Sequence, residues 1–167
     1  MNPSASQPID LLQELIAIPS FSKEESETAT VIRDYLSENG IEAKRYLNNI
    51  WAKNKHFDTT KPTILLNSHH DTVQPSSTYS RDPFEAHITN DTLYGLGSND
   101  AGGALSSLIA TFIHFYEQKD LNYNLLLAIT AEEEISGDNG IGSLLKEIPS
   151  IKFGIVVEPT QMQMAVA

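Results

Sequence analysis

Residues 63–71 read TILLNSHHD, and they decide the fold because a compact apolar run ends there in polar side chains. The apolar part, residues 63–67, follows Pro62 and is typical of a strand buried in a sheet. We expect this strand to deliver residues 68–71 at its carboxyl end. Two histidines and an aspartate at such a position indicate a functional site.

Two further apolar runs repeat this pattern. Residues 123–130 are followed by three glutamates at 132–134, and residues 153–157 are followed by Glu158. Strands that alternate with helices predict an α/β fold, a layered sheet with helices on both faces. Because ligands of such sheets gather outside the carboxyl ends of the strands, we expect the three polar ends to meet in one site.

Helices are predicted from apolar residues at helical spacing and from their boundary signals. The predicted helices cover residues 9–16, 23–39, 104–117 and 141–146. Pro19 ends the first pattern, and Gly40 stands where a C-terminal cap of the second helix belongs. Ser22 and Glu25 have the spacing of a capping box, which predicts that they cap the second helix at its N-terminus.

Two hairpins are predicted from short strand-like stretches on either side of turn residues. The predicted strand pairs are residues 41–46 with 50–54, around a turn at Asn48-Asn49, and residues 86–89 with 92–94, around Asn90-Asp91. The sequence shows neither an internal repeat nor a linker, so a single domain is expected.

Length and composition exclude several classes of function. The 167 residues suffice for one domain, and 22 acidic against 11 basic residues give a net charge of −11, which argues against nucleic acid and membrane surfaces as partners. The sequence has no cysteine, so any metal would be bound by His, Asp and Glu. Residues 1–7 lack the pattern of a signal peptide and no apolar run reaches the length of a membrane span, which predicts a cytoplasmic protein.

His69 and Asp71 are the first candidate pair. Residues two apart in an extended strand point to the same side, so Asp71 can accept a hydrogen bond from the imidazole of His69. A carboxylate in this role fixes the tautomer of a metal-binding histidine. The alternative is a surface loop in which Asp71 forms a turn.

Asp100 follows the glycine-rich segment 95–99. A dinucleotide fingerprint would require a third glycine at position 100, and the aspartate found there argues against a phosphate loop. A carboxylate held by a tight turn can bridge two cations, as two-metal sites require. The alternative is a solvated loop aspartate.

The glutamates after the second and third strands complete the candidate set. Neighbouring residues point in different directions, so Glu134 can bind a metal while Glu133 acts on a water molecule as general base. A solvated acidic turn is the alternative for residues 132–134. Glu158 follows an apolar strand, where burial of a charge is costly unless a cation pairs with it. Imidazole and carboxylate ligands suit Zn²⁺, with Co²⁺ or Mn²⁺ as alternatives.

These segments resemble the zinc-dependent amidohydrolases and exopeptidases that include acetylornithine deacetylase, succinyl-diaminopimelate desuccinylase and glutamate carboxypeptidase. The matching segments, in family order, are residues 68–73, 82–84, 93–103, 130–134 and 157–160. The resemblance is greatest to acetylornithine deacetylase. It implies the catalytic domain of a zinc exopeptidase, and a cytoplasmic enzyme that hydrolyses the amide of a small N-acyl amino acid, most simply N-acetylornithine in arginine biosynthesis.

The resemblance also implies a division of roles. His69 and Glu158 would bind one zinc ion, Asp100 would bridge two, and Glu134 would bind the second. Glu133 would be the general base.

Two smaller roles follow from the same resemblance. Asp71 would orient His69, and the peptide bond between Asp100 and Ala101 would be cis. Ala101 departs from the family, in which a larger residue is frequent, and this difference would affect packing more than chemistry.

The resemblance further implies that residues 1–167 form the N-terminal part of the catalytic domain. The lid or dimerisation domain, through which the full-length protein would form a homodimer, and the last histidine of the second zinc site would lie outside it. Residues 162–167 look like the start of a strand. The alternatives within the family are a desuccinylase and a dipeptidase or other exopeptidase, and the alternative of another class is a non-catalytic metal-binding fragment.

Overall fold

The protein is described here by a computed structural model that covers residues 6–160. The strands are β1 (Lys44–Tyr46), β2 (Asn49–Lys53), β3 (Thr63–His69), β4 (His87–Thr89), β5 (Thr92–Tyr94), β6 (Asn124–Thr130) and β7 (Phe153–Val156). The helices are α1 (Ser6–Ile16), α2 (Ser26–Glu38), α3 (Gly103–Phe115) and α4 (Ile141–Leu144). None of these helices is long and apolar enough to cross a membrane.

Five strands form one sheet in the order β1-β2-β6-β3-β7, and β4 pairs with β5 in a separate hairpin. Strand β3 is parallel to both of its neighbours, β6 and β7, whereas β2 is antiparallel to β6. The parallel strands β3, β6 and β7 therefore end at the same edge of the sheet. This arrangement confirms the predicted α/β fold and brings the three polar strand ends together.

The sheet is covered on both faces, as predicted, but unequally. Alternate residues of a strand point to opposite faces, so Leu66 and Leu127 pack with α1, α2 and α3 while Leu65 and Leu126 face the other way. On that second face the sheet packs against Leu144 of the short helix α4. The larger core therefore lies on the face of the three long helices.

The predicted capping box of α2 is wrong. The helix begins at Ser26 rather than at residue 23, and Glu25 at its N-cap position makes no capping hydrogen bond with its side chain. The hydroxyl of Ser22 donates instead to the carboxylate of Asp71, at 2.7 Å. The two side chains are engaged in tertiary contacts, which a local sequence pattern does not reveal.

The first hairpin turns one residue earlier than predicted. Tyr46 pairs with Asn49, so the turn residues are Leu47 and Asn48, and Leu47 adopts a left-handed φ of 54°. Asn49 is a buried residue of β2 and not part of the turn. Strand β1 is also shorter than predicted, because Ile41 donates its amide hydrogen to Leu36 and closes α2. The second hairpin is confirmed as predicted, with Asn90 and Asp91 at positive φ.

Strand β7 is confirmed, and its position at the edge of the described sheet leaves it exposed. Phe153 is 60% exposed and Val156 is 62% exposed, although both are apolar. The predicted strand at residues 162–167 lies outside the described residues.

Candidate metal centre

The candidate site lies where β3, β6 and β7 end, next to the turn that precedes α3. His69 is the last residue of β3, and its side chain is 1% exposed. Asp71, Glu133, Glu134 and Glu158 follow the three strand ends, and Asp100 comes from the turn. The structure thus brings together all six residues that the sequence singles out.

The two ring nitrogens of His69 have different surroundings, because Nδ1 contacts Asp71 and Nε2 faces the other acids. Its Nδ1 lies 3.0 Å from the carbonyl oxygen of Asp71 and 3.3 Å from the carboxylate of the same residue. The predicted proximity of His69 and Asp71 is therefore confirmed. With a proton on Nδ1, a neutral ring presents the lone pair of Nε2 to the site.

Three further carboxylates surround Nε2 of His69. Asp100 Oδ1 lies 3.2 Å from it, Glu158 Oε2 3.5 Å and Glu133 Oε2 3.9 Å. Burial lowers the pKa of His69, but the hydrogen bond with Asp71 and the negative charges of Glu158 and the other acids outweigh it and raise the pKa to about 9. The ring sits in a strongly negative environment.

The pKa values of two of the acids reflect burial and mutual repulsion. Burial, and then the charge of Asp100, raises the pKa of Glu134, and burial followed by the charge of Glu133 raises that of Glu158 against the lowering effect of His69. Such mutual repulsion is offset when a divalent cation binds between the carboxylates.

Ligand atoms are close enough for one ion to bind. Within residues 6–160, His69, Asp100 and Glu134 each offer a ligand atom, and these atoms lie within 4.8 Å of one another. One imidazole and several carboxylates form a donor set that fits Zn²⁺, Co²⁺ or Mn²⁺. The residues present therefore fit a divalent metal.

A tight turn delivers Asp100 to this site. Gly97 has a left-handed φ of 72°, and a Cβ at this position would meet Cγ2 of Thr72 at 2.6 Å, so that only glycine fits without strain. The turn spans Ser98–Gly102, and its Asp100-Ala101 peptide bond is cis, as the resemblance implied. Ala101 is buried and its neighbour Asp100 is 57% exposed, which agrees with a packing role for the alanine.

The three consecutive glutamates separate into two kinds. Glu132 adopts a left-handed φ of 54° and is 4% exposed, and its carboxylate accepts hydrogen bonds from the backbone and the side chain of Asn139. Glu133 and Glu134 point to the site instead. Asp71 accepts hydrogen bonds from the amides of both, at 3.0 and 3.2 Å.

No second histidine joins this group within residues 6–160. His70 points away, with Nδ1 2.9 Å from the hydroxyl of Thr28 and Nε2 3.0 Å from the carbonyl oxygen of Asn48. Burial lowers the pKa of His70 to about 4, so the ring is neutral. The other three histidines lie after β2, in β4 and in α3: His56, His87 and His114.

Sequence reasoning missed two residues that support the site. Ser22 donates to Asp71, and the fully buried Glu25 accepts a hydrogen bond from the amide of Glu132. The only sequence signal at both positions was the spacing of a capping box, and that signal pointed to a local role.

A cavity of about 350 Å³ opens beside the acids and could admit a small molecule. Asp100 and Glu134 form one wall of it, and Thr72, Tyr79 and Asn99 belong to the remaining lining.

Comparisons with known proteins agree with this geometry. Residues 65–167 match the profile of the peptidase family M20/M25/M40. A succinyl-diaminopimelate desuccinylase of Blochmanniella pennsylvanica is 35% identical over 91% of this chain and 43% of its own length. The chain thus spans about two fifths of the length of the curated relatives it matches.

Two solved structures share the fold. A metallo-carboxypeptidase of the M20 family from Sulfolobus solfataricus superposes with a TM-score of 0.73 and 24% identity, over 90% of this chain and 37% of the other. A dinuclear metal-binding peptidase of the same family from Bacillus subtilis superposes with a TM-score of 0.62 and 20% identity, over 89% and 42% of the two chains.

Proposed function

Because the chain belongs to the peptidase family M20/M25/M40, we propose that it supplies most of the metal site of a hydrolase that cleaves the amide bond of an N-acylated amino acid. The observation that carries the proposal is the ring of acids, Asp100, Glu133 and Glu158, around Nε2 of the buried His69. Carboxylates that converge in this way repel one another, and a metal cation bound between them and the imidazole would offset that repulsion.

Two zinc ions are the proposed metals, with cobalt as a substitute. His69 and Glu158 would bind one ion, Asp100 would bridge the pair, and Glu134 would bind the other. The bound ions would polarise the amide carbonyl and make water more acidic. A second histidine would come from sequence outside these residues, together with a lid or dimerisation domain that makes the whole protein a homodimer.

Glu133 and Asp71 have different roles in the proposed reaction. Glu133 removes a proton from the attacking water, and the same carboxylic acid afterwards protonates the departing amine. Its carboxylate is 53% exposed and makes no hydrogen bond within the described residues, so it is free to reach the substrate. Asp71 holds the proton on Nδ1 of His69, which keeps Nε2 available as a ligand.

The acyl group is the open part of the proposal. The motifs favour an acetyl group on ornithine, as in acetylornithine deacetylase, whereas the similarity to a desuccinylase favours a succinyl group on diaminopimelate. The fold shared with a metallo-carboxypeptidase supports an exopeptidase as the second candidate.

Turnover by the full-length protein distinguishes these candidates. N-acetylornithine, N-succinyl-diaminopimelate and a set of dipeptides should be assayed with zinc or cobalt present, and release of the free amine should be measured. We expect one of the two acylated amino acids to be the best substrate. Turnover of dipeptides alone would favour the exopeptidase, and an absence of turnover with all of them would refute the proposed function.

A further inference from the structure

Glu25 is a buried carboxylate with no cationic partner in the described part of the chain. It is fully buried, and its oxygens accept hydrogen bonds from the amide of Lys23 at 2.6 Å, the side-chain amide of Asn48 at 2.9 Å and the amide of Glu132 at 3.2 Å. Burial of a charge is costly, so three donors aimed at one carboxylate indicate a specific role.

The contact with Glu132 continues a series of hydrogen bonds at the end of β6. The amide of Glu132 donates to Glu25, and the next two amides, those of Glu133 and Glu134, donate to Asp71. Two buried carboxylates therefore hold three successive amides of one loop. The loop carries the proposed base and a proposed metal ligand.

Few side-chain contacts hold Glu133 and Glu134 in place. Within residues 6–160, the carboxylate of Glu133 has one ion-pair contact, with His69 at 3.9 Å, and that of Glu134 has none. The directions of both side chains are therefore set by the backbone from which they project. The backbone is held in turn by hydrogen bonds from its amides to Glu25 and Asp71, and by those that the carbonyl oxygens of Glu132 and Glu133 accept from the amides of Gly137 and Ser136 at 2.8 Å.

Glu25 is itself fixed by elements on both sides of the site. Its partner Asn48 lies in the turn between β1 and β2, and the carbonyl oxygen of Asn48 accepts a hydrogen bond from Nε2 of His70, next to His69. A neutral His70 that donates from Nε2 accepts at Nδ1 from the hydroxyl of Thr28 in α2. The carboxylate thus joins the start of α2 to the ends of β3 and β6.

We propose that Glu25 is a positioning residue, which aims the side chains of Glu133 and Glu134 by anchoring the loop through the amide of Glu132. Its effect on catalysis rests on the function proposed above. Its effect on the loop does not, because the hydrogen bond exists whatever the reaction.

Two variants test the role of Glu25, and a neighbouring residue provides the control. Glu25→Ala removes both carboxylate oxygens, and with them all three hydrogen bonds, and leaves the amide of Glu132 buried without a partner. Glu25→Gln keeps the shape, but its amide nitrogen must face one of the three donors, so that at least one contact is lost. Glu24→Gln is the matched control, because Glu24 is exposed and makes no such contact.

The first measurement is hydrogen exchange in the full-length protein. In Glu25→Ala, the amides of residues 132–134 should exchange at least about tenfold faster than in the wild type, whereas the exchange of the β6 amides should not change. In the Glu24→Gln control, exchange at residues 132–134 should equal that of the wild type. If Glu25→Ala does not fold, Glu25→Gln should show the same local change in a smaller amount. Unchanged exchange at residues 132–134 in a folded variant would overturn the proposal, even if the wild-type protein has no activity.

The second measurement separates positioning from general stability. Glu25→Ala should lower kcat by about 10- to 100-fold with little change in KM, because displacement of a catalytic group by about 1 Å has effects of this size. In a Glu133→Gln background the same change should lower the residual kcat by a smaller factor, because one of the two side chains to be aimed can no longer act as a base. Equal losses in both backgrounds would show that Glu25 does not act by aiming Glu133. If the wild-type protein has no turnover but the loop exchanges faster in Glu25→Ala, the proposed function is refuted and the anchoring role of Glu25 stands.

Discussion

Two groups of carboxylates meet at the end of the sheet, and they are held in opposite ways. The inner acids are Glu25, Asp71 and Glu132, and the outer acids are Asp100, Glu133, Glu134 and Glu158. The inner acids are at most 4% exposed, and the chain itself provides their hydrogen-bond donors. Within the described residues, the carboxylates of the outer acids form hydrogen bonds and ion pairs only with His69. The chain itself therefore satisfies the inner acids, whereas the outer acids are the ones proposed to bind metal and to act on the substrate.

The contrast teaches that the more exposed acids are the ones proposed to bind metal and to transfer protons. The acids best protected from water are parts of the scaffold, and they are expected to affect stability and activity together. The exposed acids can be changed at little cost to the fold, so that their loss should appear in chemistry alone. Each of the following variants tests one side of this division.

The largest effect is expected for the outer acid proposed as general base. Glu133→Gln should lower kcat of the full-length protein by about 10²- to 10⁴-fold, because glutamine cannot accept the proton of the attacking water. The midpoint of thermal unfolding should not change, since the side chain is 53% exposed. The exposed Glu147 offers a control, and Glu147→Gln should have wild-type activity. A Glu133→Gln variant within threefold of wild type would remove Glu133 from the role of base.

Among the inner acids, replacement of Asp71 should lower both activity and stability. Asp71→Asn places an amide where the amide of Glu134 and the hydroxyl of Ser22 now donate, so that at least one donor loses its acceptor. Loss of such a partner of a metal-binding histidine lowers activity or metal affinity by about 10- to 100-fold. We also expect the free energy of unfolding, measured in urea, to fall by about 1–3 kcal/mol.

A surface aspartate serves as the control for Asp71. Asp34→Asn, on α2, removes an exposed contact with Arg33 and should change neither quantity measurably. Should Asp71→Asn lose activity without losing stability, the division between inner and outer acids would be wrong for this residue.

Metal affinity separates the roles of two outer acids. The proposed assignment pairs Glu158 with His69 and Asp100, so the 167-residue chain should bind one zinc ion tightly and be inactive. In calorimetric titrations Glu158→Gln should then weaken zinc binding by roughly tenfold or more, and Glu134→Gln by much less. A larger loss of zinc affinity in Glu134→Gln than in Glu158→Gln would instead make Glu134 the ligand of the ion bound by His69 and Asp100. The close grouping of His69, Asp100 and Glu134 allows this arrangement. Two tight zinc ions per chain, or measurable deacylation, would contradict the assignment.

Three of the outer acids could be predicted from the sequence because they follow apolar strands, whereas Asp100 was singled out by the glycines before it. The period and length of these runs identify β3, β6 and β7, and parallel strands bring their ends to one edge. The pattern does not require knowledge of distant contacts. For this reason Glu133, Glu134 and Glu158 were found from their place in the chain alone.

The inner acid Glu25 and its neighbour Ser22 could not be predicted in this way, because their partners are far away in sequence. Ser22 and Asp71 are 49 residues apart, and Glu25 and the amide of Glu132 are 107 residues apart. The capping-box pattern considers only neighbours within one turn of helix, so it assigned both Ser22 and Glu25 to the wrong partners. Glu132 was grouped with its neighbours for the same reason, since only the left-handed backbone at this residue turns its side chain inward.

The smallest effect is expected for the replacement of Ser22, a neighbour of the inner acid Asp71. Its hydroxyl donates to Asp71 at 2.7 Å, but the same carboxylate also accepts from the amides of Glu133 and Glu134, so Ser22→Ala leaves it well bonded. We expect the free energy of unfolding to fall by about 1 kcal/mol and kcat to fall by less than about tenfold. As a control, Ser77→Ala at an exposed serine should change neither the free energy of unfolding nor kcat. A loss as large as that of Asp71→Asn would mean that Asp71 depends on this single donor, and that the backbone amides do not suffice to hold an inner acid in place.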